Sequence, residues 1–154
     1  MKLNKFSLGG TAAIITSMGL IAGLNYGEHA KVSVIGGLLI IAIADNISDS
    51  FGIHVYKESE TSDEKEVFSI TIGNFLVRLL LSLSFVALVM ILPTDLVFYF
   101  ATIWGLLLLT ILSYYISEIK KGSRLKEILI HLAVAIIVVV ASKYIGLIIS
   151  KNLS

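Results

Sequence analysis

Apolar residues in this chain form five long blocks separated by short polar segments. The blocks are Leu8–Tyr26, Val32–Tyr56, Val67–Leu92, Leu96–Ile116 and Ile128–Ser150. Each has about the length that a helix needs to cross the hydrocarbon core of a bilayer, roughly 20 residues. The apolar residues run almost continuously within each block, whereas the strands of a membrane barrel alternate apolar and polar positions. The pattern predicts an all-α integral membrane protein with five transmembrane helices.

The composition supports the same class. Of the 154 residues, 56% are hydrophobic and 15% are charged, and the mean hydropathy is +0.93. Soluble domains carry about a quarter charged residues, so this chain lacks the charged surface of a water-soluble protein. We therefore expect a single transmembrane domain over residues 1–154, in contact with the lipid bilayer. The net charge of +1 gives no indication of nucleic-acid binding, and the absence of cysteine excludes disulfides and thiolate metal sites.

The basic residues predict an orientation. Most of them fall on one side of the predicted spans: Lys2, Lys5, Lys57, Lys65, Lys120, Lys121, Arg124 and Lys126. The opposite side carries Lys31 and Lys151. Short cytoplasmic loops are enriched in lysine and arginine, so we expect the N-terminus inside and the C-terminus outside, in a cell or organelle membrane.

Three glycines in the first block indicate close helix packing. Gly19, Gly23 and Gly27 repeat every four residues and would share one helical face. Small residues at this spacing let two helix backbones approach each other in lipid. The partner helix would belong either to the same chain or to a second copy.

The second block contains two carboxylates, which are the main candidates for chemistry. Asp45, Ser48, Asp49 and Gly52 occur at i, i+3, i+4 and i+7 and therefore lie on one helical face. Two ionised carboxylates one turn apart repel each other unless a cation, a basic side chain or a shared proton lies between them. Hard divalent cations prefer oxygen ligands of this kind. We therefore take Asp45, Asp49 and Ser48 as candidate metal ligands.

Residues in the third block offer a structural alternative. Counting about 1.5 Å per residue from the inner span ends places Arg78 at the depth of Asp45, and Asn74 at that of Asp49. Arg78 and Asn74 are then either members of a structural ion-pair cluster or a resident counter-charge that a metal or proton displaces. Met18 in the first block is a further candidate pathway residue, as a soft ligand. The sequence leaves both interpretations open.

The segment 44–60 resembles the second-helix signature of the vacuolar iron transporter family, approximately A-D-G-x-S-M-A-x-G-E-Y-x-S-x-K-S-E. The matching positions are Ala44, Asp45, Ser48, Gly52, Ser59 and Glu60. The segment 18–24 is similar to the first-helix pattern x-x-L-V-A-G-L of that family. The resemblance implies a homodimeric transporter that moves Fe²⁺ or Mn²⁺ out of the cytosol in exchange for protons. By position, Asp45 would be a pathway carboxylate and Ser48 a neighbouring pathway residue.

The chain also departs from the family pattern, as a divergent short member would. Asp49 stands at the methionine position and Ile53 at the glutamate position, and the first-helix aspartate falls near Ala12. The cytosolic metal-binding insertion is missing, which leaves only the segment 57–66 between the second and third blocks. A carboxylate in place of a thioether favours Mn²⁺ or another hard cation.

Other classes have less support. The sequence lacks the second aspartate motif of a membrane phosphotransferase and the His-Glu-x-x-His motif of a metalloprotease, so we expect neither an enzyme nor a bound cofactor. The alternative to a transporter is a membrane scaffold or accessory subunit. In that case Asp45 and Arg78 would form a purely structural ion pair.

Overall fold

The chain forms long helices throughout the residues that the computed structural model describes, namely the backbone of residues 4–120 and 123–153 and the side chains of residues 9–118 and 123–152. The helices are α1 (Asn4–Leu24), α2 (Ala30–Ile40), α3 (Asn46–Glu60), α4 (Glu64–Ile91), α5 (Thr94–Lys120) and α6 (Arg124–Leu153). The π-helical segment Ile41–Asp45 joins α2 to α3, so these two elements form one continuous rod. Every predicted block boundary lies within four residues of a helix end. Lys2 and Lys121, which contribute to the predicted orientation, lie outside the described residues.

Four of these helices are long and apolar enough to span a membrane. They are Ala30–Glu60, Glu64–Ile91, Thr94–Glu118 and Arg124–Asn152, with mean hydropathies between 1.7 and 2.5. The segment Gly9–Leu24 of α1 is a shorter apolar helix. Large apolar side chains on α2–α6 are exposed, as expected where helices face lipid rather than water. The prediction of a multi-pass helical membrane protein is thus confirmed, with four helices of spanning length and one shorter apolar helix.

Helix α1 lies at the centre of the bundle and contacts α2, α4, α5 and α6. Its small and apolar residues are buried, including Ala13, Ile14 and Ile21. Two of the predicted packing glycines face α6. A Cβ on Gly19 would lie 2.9 Å from a methyl of Val138, and a Cβ on Gly146 would collide with the carbonyl oxygen of Gly23. The partner of this glycine face is therefore α6 of the same chain.

The prediction for Gly27 is wrong. Gly27 lies beyond the end of α1, in the connection to α2, and has a φ of +84°. A Cβ there would meet no atom within 4 Å. The helix ends at Leu24, so the four-residue repeat no longer places residue 27 on the same face. Its glycine serves the left-handed backbone of the turn, not helix packing.

Candidate functional site

A π-helical segment immediately precedes the candidate carboxylates. The backbone N–H of Asn46 donates to the carbonyl of Ile41, five residues earlier. The side-chain amide of Asn46 donates to the carbonyl oxygen of Ala42 at 2.8 Å. This bond gives a partner to a carbonyl within the π-helical segment. Single π turns inside α-helices occur frequently at functional sites. This one sets the rotation of α3, and so determines the direction in which Asp45 and Asp49 point.

Arg78 of α4 is the centre of the polar cluster. Its side chain is 2% exposed. Its Nη2 lies 2.5 Å from Asp45 Oδ2, and its Nη1 lies 3.1 Å from Asp49 Oδ2. Its Nε donates to Asn46 Oδ1 at 2.7 Å, and Nη1 also donates to the carbonyl of Gly9 at 3.3 Å. A buried guanidinium is tolerated when its N–H groups have partners of this kind.

Asn74, one turn before Arg78, holds the second carboxylate. Its Nδ2 donates to Asp49 Oδ2 at 3.3 Å and to Ser50 Oγ at 3.1 Å. On the other side, its amide lies directly against Gly9 of α1, where a Cβ would be 2.8 Å from Asn74 Cγ. The cluster therefore needs a glycine at position 9. Helices α1, α3 and α4 all contribute to it.

Charge and exposure distinguish this cluster from a simple ion pair. Two carboxylates share one guanidinium, which gives one excess negative charge when all three groups are ionised. Among the side chains that the structure describes, no second basic group pairs with either aspartate. The arginine is buried, but the side chains of Asp45 and Asp49 are 47% and 41% exposed at the protomer surface. A charged side chain in the middle of a membrane helix costs roughly 2.5–3.5 kcal/mol on insertion scales, so this surface is expected to be covered or neutralised.

The structure brings together most of the candidate residues. Asp45 pairs with Arg78, and Asn74 contacts Asp49, at the depths that the helical rise predicts. Ser48 is exposed on the same stretch of α3 and takes no part in the hydrogen bonds of the cluster. Met18, the candidate soft ligand, lies apart from these residues. Met18 lies nine residues beyond Gly9 on α1, is 2% exposed and packs against Gly105 of α5.

Three residues of the cluster escaped the sequence reasoning. Asn46 and Ser50 are buried in α3, and Gly9 lies in α1. Asn46 and Ser50 carry no charge, and Asn46 lies on a different face from Asp45. A usable signal was present nevertheless. Uncharged hydrogen-bonding side chains within an apolar span usually face a polar partner in a neighbouring helix.

A single protomer does not complete a metal site. Within the described residues, no group of three or more histidine, aspartate or glutamate side chains could hold a metal ion. Two carboxylates are fewer than the six to eight oxygen ligands that Ca²⁺ takes, or the octahedral set of Mg²⁺. A cation bound at Asp45 and Asp49 would therefore need further ligands from water or from a second copy.

No protein-family model, curated protein or solved structure matches the chain. The fold and the cluster define the class on their own. The protein is a multi-pass helical membrane protein with a buried arginine and two surface-reaching aspartates within its apolar helices.

Proposed function

We propose that this protein is a divalent metal cation transporter that exports Fe²⁺ or Mn²⁺ from the cytosol in exchange for protons. One observation carries the proposal. The cluster has two carboxylates for one guanidinium, and both carboxylates reach the protomer surface within an apolar helix. Intramembrane ionisable residues are expensive and commonly mark ion or proton pathways. The resemblance of residues 44–60 to the vacuolar iron transporter signature supports the same activity.

The excess negative charge provides the coupling. A proton on one aspartate neutralises the cluster, and a divalent cation that binds both aspartates displaces that proton. Arg78 stays in place during the exchange because Asn46 and the carbonyl of Gly9 also hold its guanidinium. The carboxylates can then turn toward a cation without leaving the arginine unpartnered. An all-oxygen site of this kind favours hard Mn²⁺ over softer cations.

In this proposal the active form is a homodimer with five spans per protomer, the N-terminus inside and the C-terminus outside. Helices α1 and α6 run in the same direction, because Gly19 lies beside Val138 and Gly23 lies beside Gly146. With an odd number of spans, the first and the last helix must cross the membrane in the same direction. Gly36 and Gly52 have open space where a Cβ would be, so the outer face of α2 and α3 allows close approach of a second copy. Two facing protomers would supply four carboxylates to one cation.

A scaffold or accessory subunit is the second candidate, and a specific observation favours it as well. Each of the three guanidinium nitrogens of Arg78 has a partner within 3.3 Å. A structural ion pair that holds α1, α3 and α4 together requires a guanidinium whose nitrogens all have hydrogen-bond or ion-pair partners. In that case the aspartates would be internal bonding partners and would carry no cargo.

Metal uptake into proteoliposomes distinguishes the two candidates. Wild-type protein would be tested with Mn²⁺, Fe²⁺ and Ca²⁺, with and without a pH gradient. Asp45→Asn and Asp49→Asn would run beside it, together with Asp95→Asn, whose carboxylate lies in the first turn of α5, outside the cluster. The Asp45→Asn/Asp49→Asn/Arg78→Met variant removes all three charges and so avoids an unpaired buried arginine.

We expect gradient-driven Mn²⁺ flux in the wild type and in Asp95→Asn, and loss of flux in each of the cluster variants. Full flux in a folded Asp45→Asn or triple variant would contradict the proposal. Absence of flux for every metal with the folded wild-type dimer would favour the scaffold.

A further inference from the structure

A continuous groove runs between α3 and α4 from their connection toward the middle of the bundle. Its lower part is a cavity of about 800 Å³ with a mixed lining, in which Val67 and Phe68 lie beside the polar residues His54, Glu58, Thr61, Ser62, Glu64 and Lys65. Its upper part is a cavity of about 380 Å³ with an apolar lining that includes Ile47, Phe51, Phe68, Ile72 and Phe75. His54 and Phe68 line both cavities, so the two parts are contiguous.

The polar and apolar parts have the dimensions of a lipid headgroup region and an acyl segment. At about 1.5 Å per residue, the stretch from Ile47 to His54 is roughly 10 Å long, and so is the stretch from His54 to Thr61. The groove opens outward, because Phe51 and Phe68 are more than 60% exposed. On a membrane protein, an outward-facing apolar groove of this kind is in contact with lipid.

The polar side chains that line the upper groove already take part in hydrogen bonds within the protein. The hydroxyl of Thr71 donates to the carbonyl of Val67 at 3.0 Å and contacts His54 Nδ1 at 3.1 Å. Ser50 accepts a hydrogen bond from Asn74. A hydrocarbon chain therefore suits this part of the groove better than a polar solute does.

The lower groove combines both signs of charge. Glu58 and Glu64 supply carboxylates, and Lys65 supplies an ammonium group. One oxygen of Glu58 lies 3.5 Å from His54 Nε2, which leaves its second oxygen to a ligand. A headgroup with an amine and a phosphate complements this set, because carboxylates accept from an ammonium and lysine binds phosphate. A quaternary amine has no N–H to donate, and a headgroup of the phosphatidylglycerol type would bring a negative charge to two carboxylates with no amine to bind them.

We propose that this groove binds a phospholipid with a primary amine, of the phosphatidylethanolamine type. The acyl chain lies along Ile47, Phe51 and Ile72, the ammonium lies at Glu58 and Glu64, and the phosphate lies at Lys65. The site is independent of the transport proposal. His54 is about 140° around α3 from Asp49, so the lipid occupies the other flank of the helix and does not cover the carboxylates.

Competitive lipid retention tests this proposal. The purified protein would be reconstituted with equal amounts of phosphatidylethanolamine, phosphatidylcholine and phosphatidylglycerol and then gently delipidated. Retained lipids would be counted by native mass spectrometry. The variants are Glu58→Gln/Glu64→Gln for the headgroup and Ile72→Trp to fill the apolar groove. Glu28→Gln, an exposed glutamate in the α1–α2 connection and absent from the groove lining, is the matched control.

We expect the wild type and Glu28→Gln to retain the amine lipid up to about fivefold over the other two, the upper end of the range for one exposed charge pair. Glu58→Gln/Glu64→Gln should bring the three lipids to parity, and Ile72→Trp should lower the retention of all of them. Equal retention by the wild type would overturn the proposal. So would preference for either other lipid, or an amine preference that survives loss of both carboxylates.

Discussion

Arg78 is the residue on which the polar cluster depends most. A guanidinium at this depth is tolerated because two carboxylates, an amide oxygen and a backbone carbonyl surround it. The energetic consequence is asymmetric. The complete cluster contributes little net stability, whereas removing one member leaves the remaining charges without a partner within apolar helices.

Replacement of the arginine tests that asymmetry. We expect Arg78→Met to lower the free energy of unfolding in mixed micelles by about 3–5 kcal/mol, because both aspartates lose their cation. The Asp45→Asn/Asp49→Asn/Arg78→Met variant should recover most of this loss. Arg124→Met removes an exposed pair with Glu118 and a cation–π contact with Tyr114, so the change there should be about 1 kcal/mol, well below that at position 78. Equal losses of unfolding free energy in Arg78→Met and Arg124→Met would contradict this expectation.

Gly9 provides a second prediction at this scale. A Cβ at this position would collide with the side-chain amide of Asn74 and lie 3.0 Å from Cδ of Arg78. We expect Gly9→Ala to destabilise the protein by about 1–3 kcal/mol, as overpacking usually does. In the monomeric protein, Gly36→Ala, where a Cβ meets nothing within 4 Å of its own chain, should be neutral or slightly stabilising, since alanine favours helix. The two free energies of unfolding would be compared in the same micelles.

The charged members of the cluster and Asn74 were predictable from the sequence, whereas Asn46, Ser50 and Gly9 were not. Depth along the helices suffices to match Asp45 with Arg78 and Asn74 with Asp49, because a buried charge must find a partner at its own level. Gly9 depends on the close approach of α1 to α4, which no pattern within α1 reveals. Met18 lies nine residues beyond Gly9 along α1, at a different depth from the cluster, and packs against Gly105 of α5.

At the scale of elements, apolar blocks give helix positions reliably, but they do not reveal an extra residue within a helix. The π-helical segment Ile41–Asp45 has no proline or charge interruption to mark its start. It nevertheless changes the rotation of α3 relative to α2. Which side chains of α3 face α4 therefore follows only from the structure.

Asn46 connects the π-helical segment to the polar cluster, so its replacement tests how strongly the two depend on each other. Asn46→Ala removes the amide that donates to Ala42 and the oxygen that accepts from Arg78. We expect a loss of about 1–3 kcal/mol in the free energy of unfolding, since a buried charged donor is left unsatisfied. Asn152→Ala removes a similar bond to Ile148, four residues earlier but exposed, and should have a much smaller effect. Comparable losses of unfolding free energy in both variants would show that the bonds of Asn46 stabilise the protein no more than an exposed side-chain bond does.

At the scale of the whole molecule, the outer face of α2 and α3 is where we propose that two protomers meet. Gly52→Trp would put a bulky side chain where a Cβ now meets no atom of its own chain. We expect this variant to keep the protomer fold but weaken dimerisation by at least about tenfold, a change of roughly 1.4 kcal/mol. Ile137→Trp, on the exposed side of α6, is the control. Dimerisation in lipid, followed by single-molecule photobleaching, should change only in the first variant.

The central claim is that Asp45 and Asp49 exchange a proton for a divalent cation, and proton release on metal binding tests it most directly. Mn²⁺ would be titrated into the purified protein in weakly buffered micelles while a pH indicator records released protons. We expect about two protons per Mn²⁺ bound between two protomers, one from each cluster. We expect no release from Asp45→Asn/Asp49→Asn/Arg78→Met and normal release from Asp95→Asn. Mn²⁺ binding without proton release, or equal release from the triple variant, would contradict it.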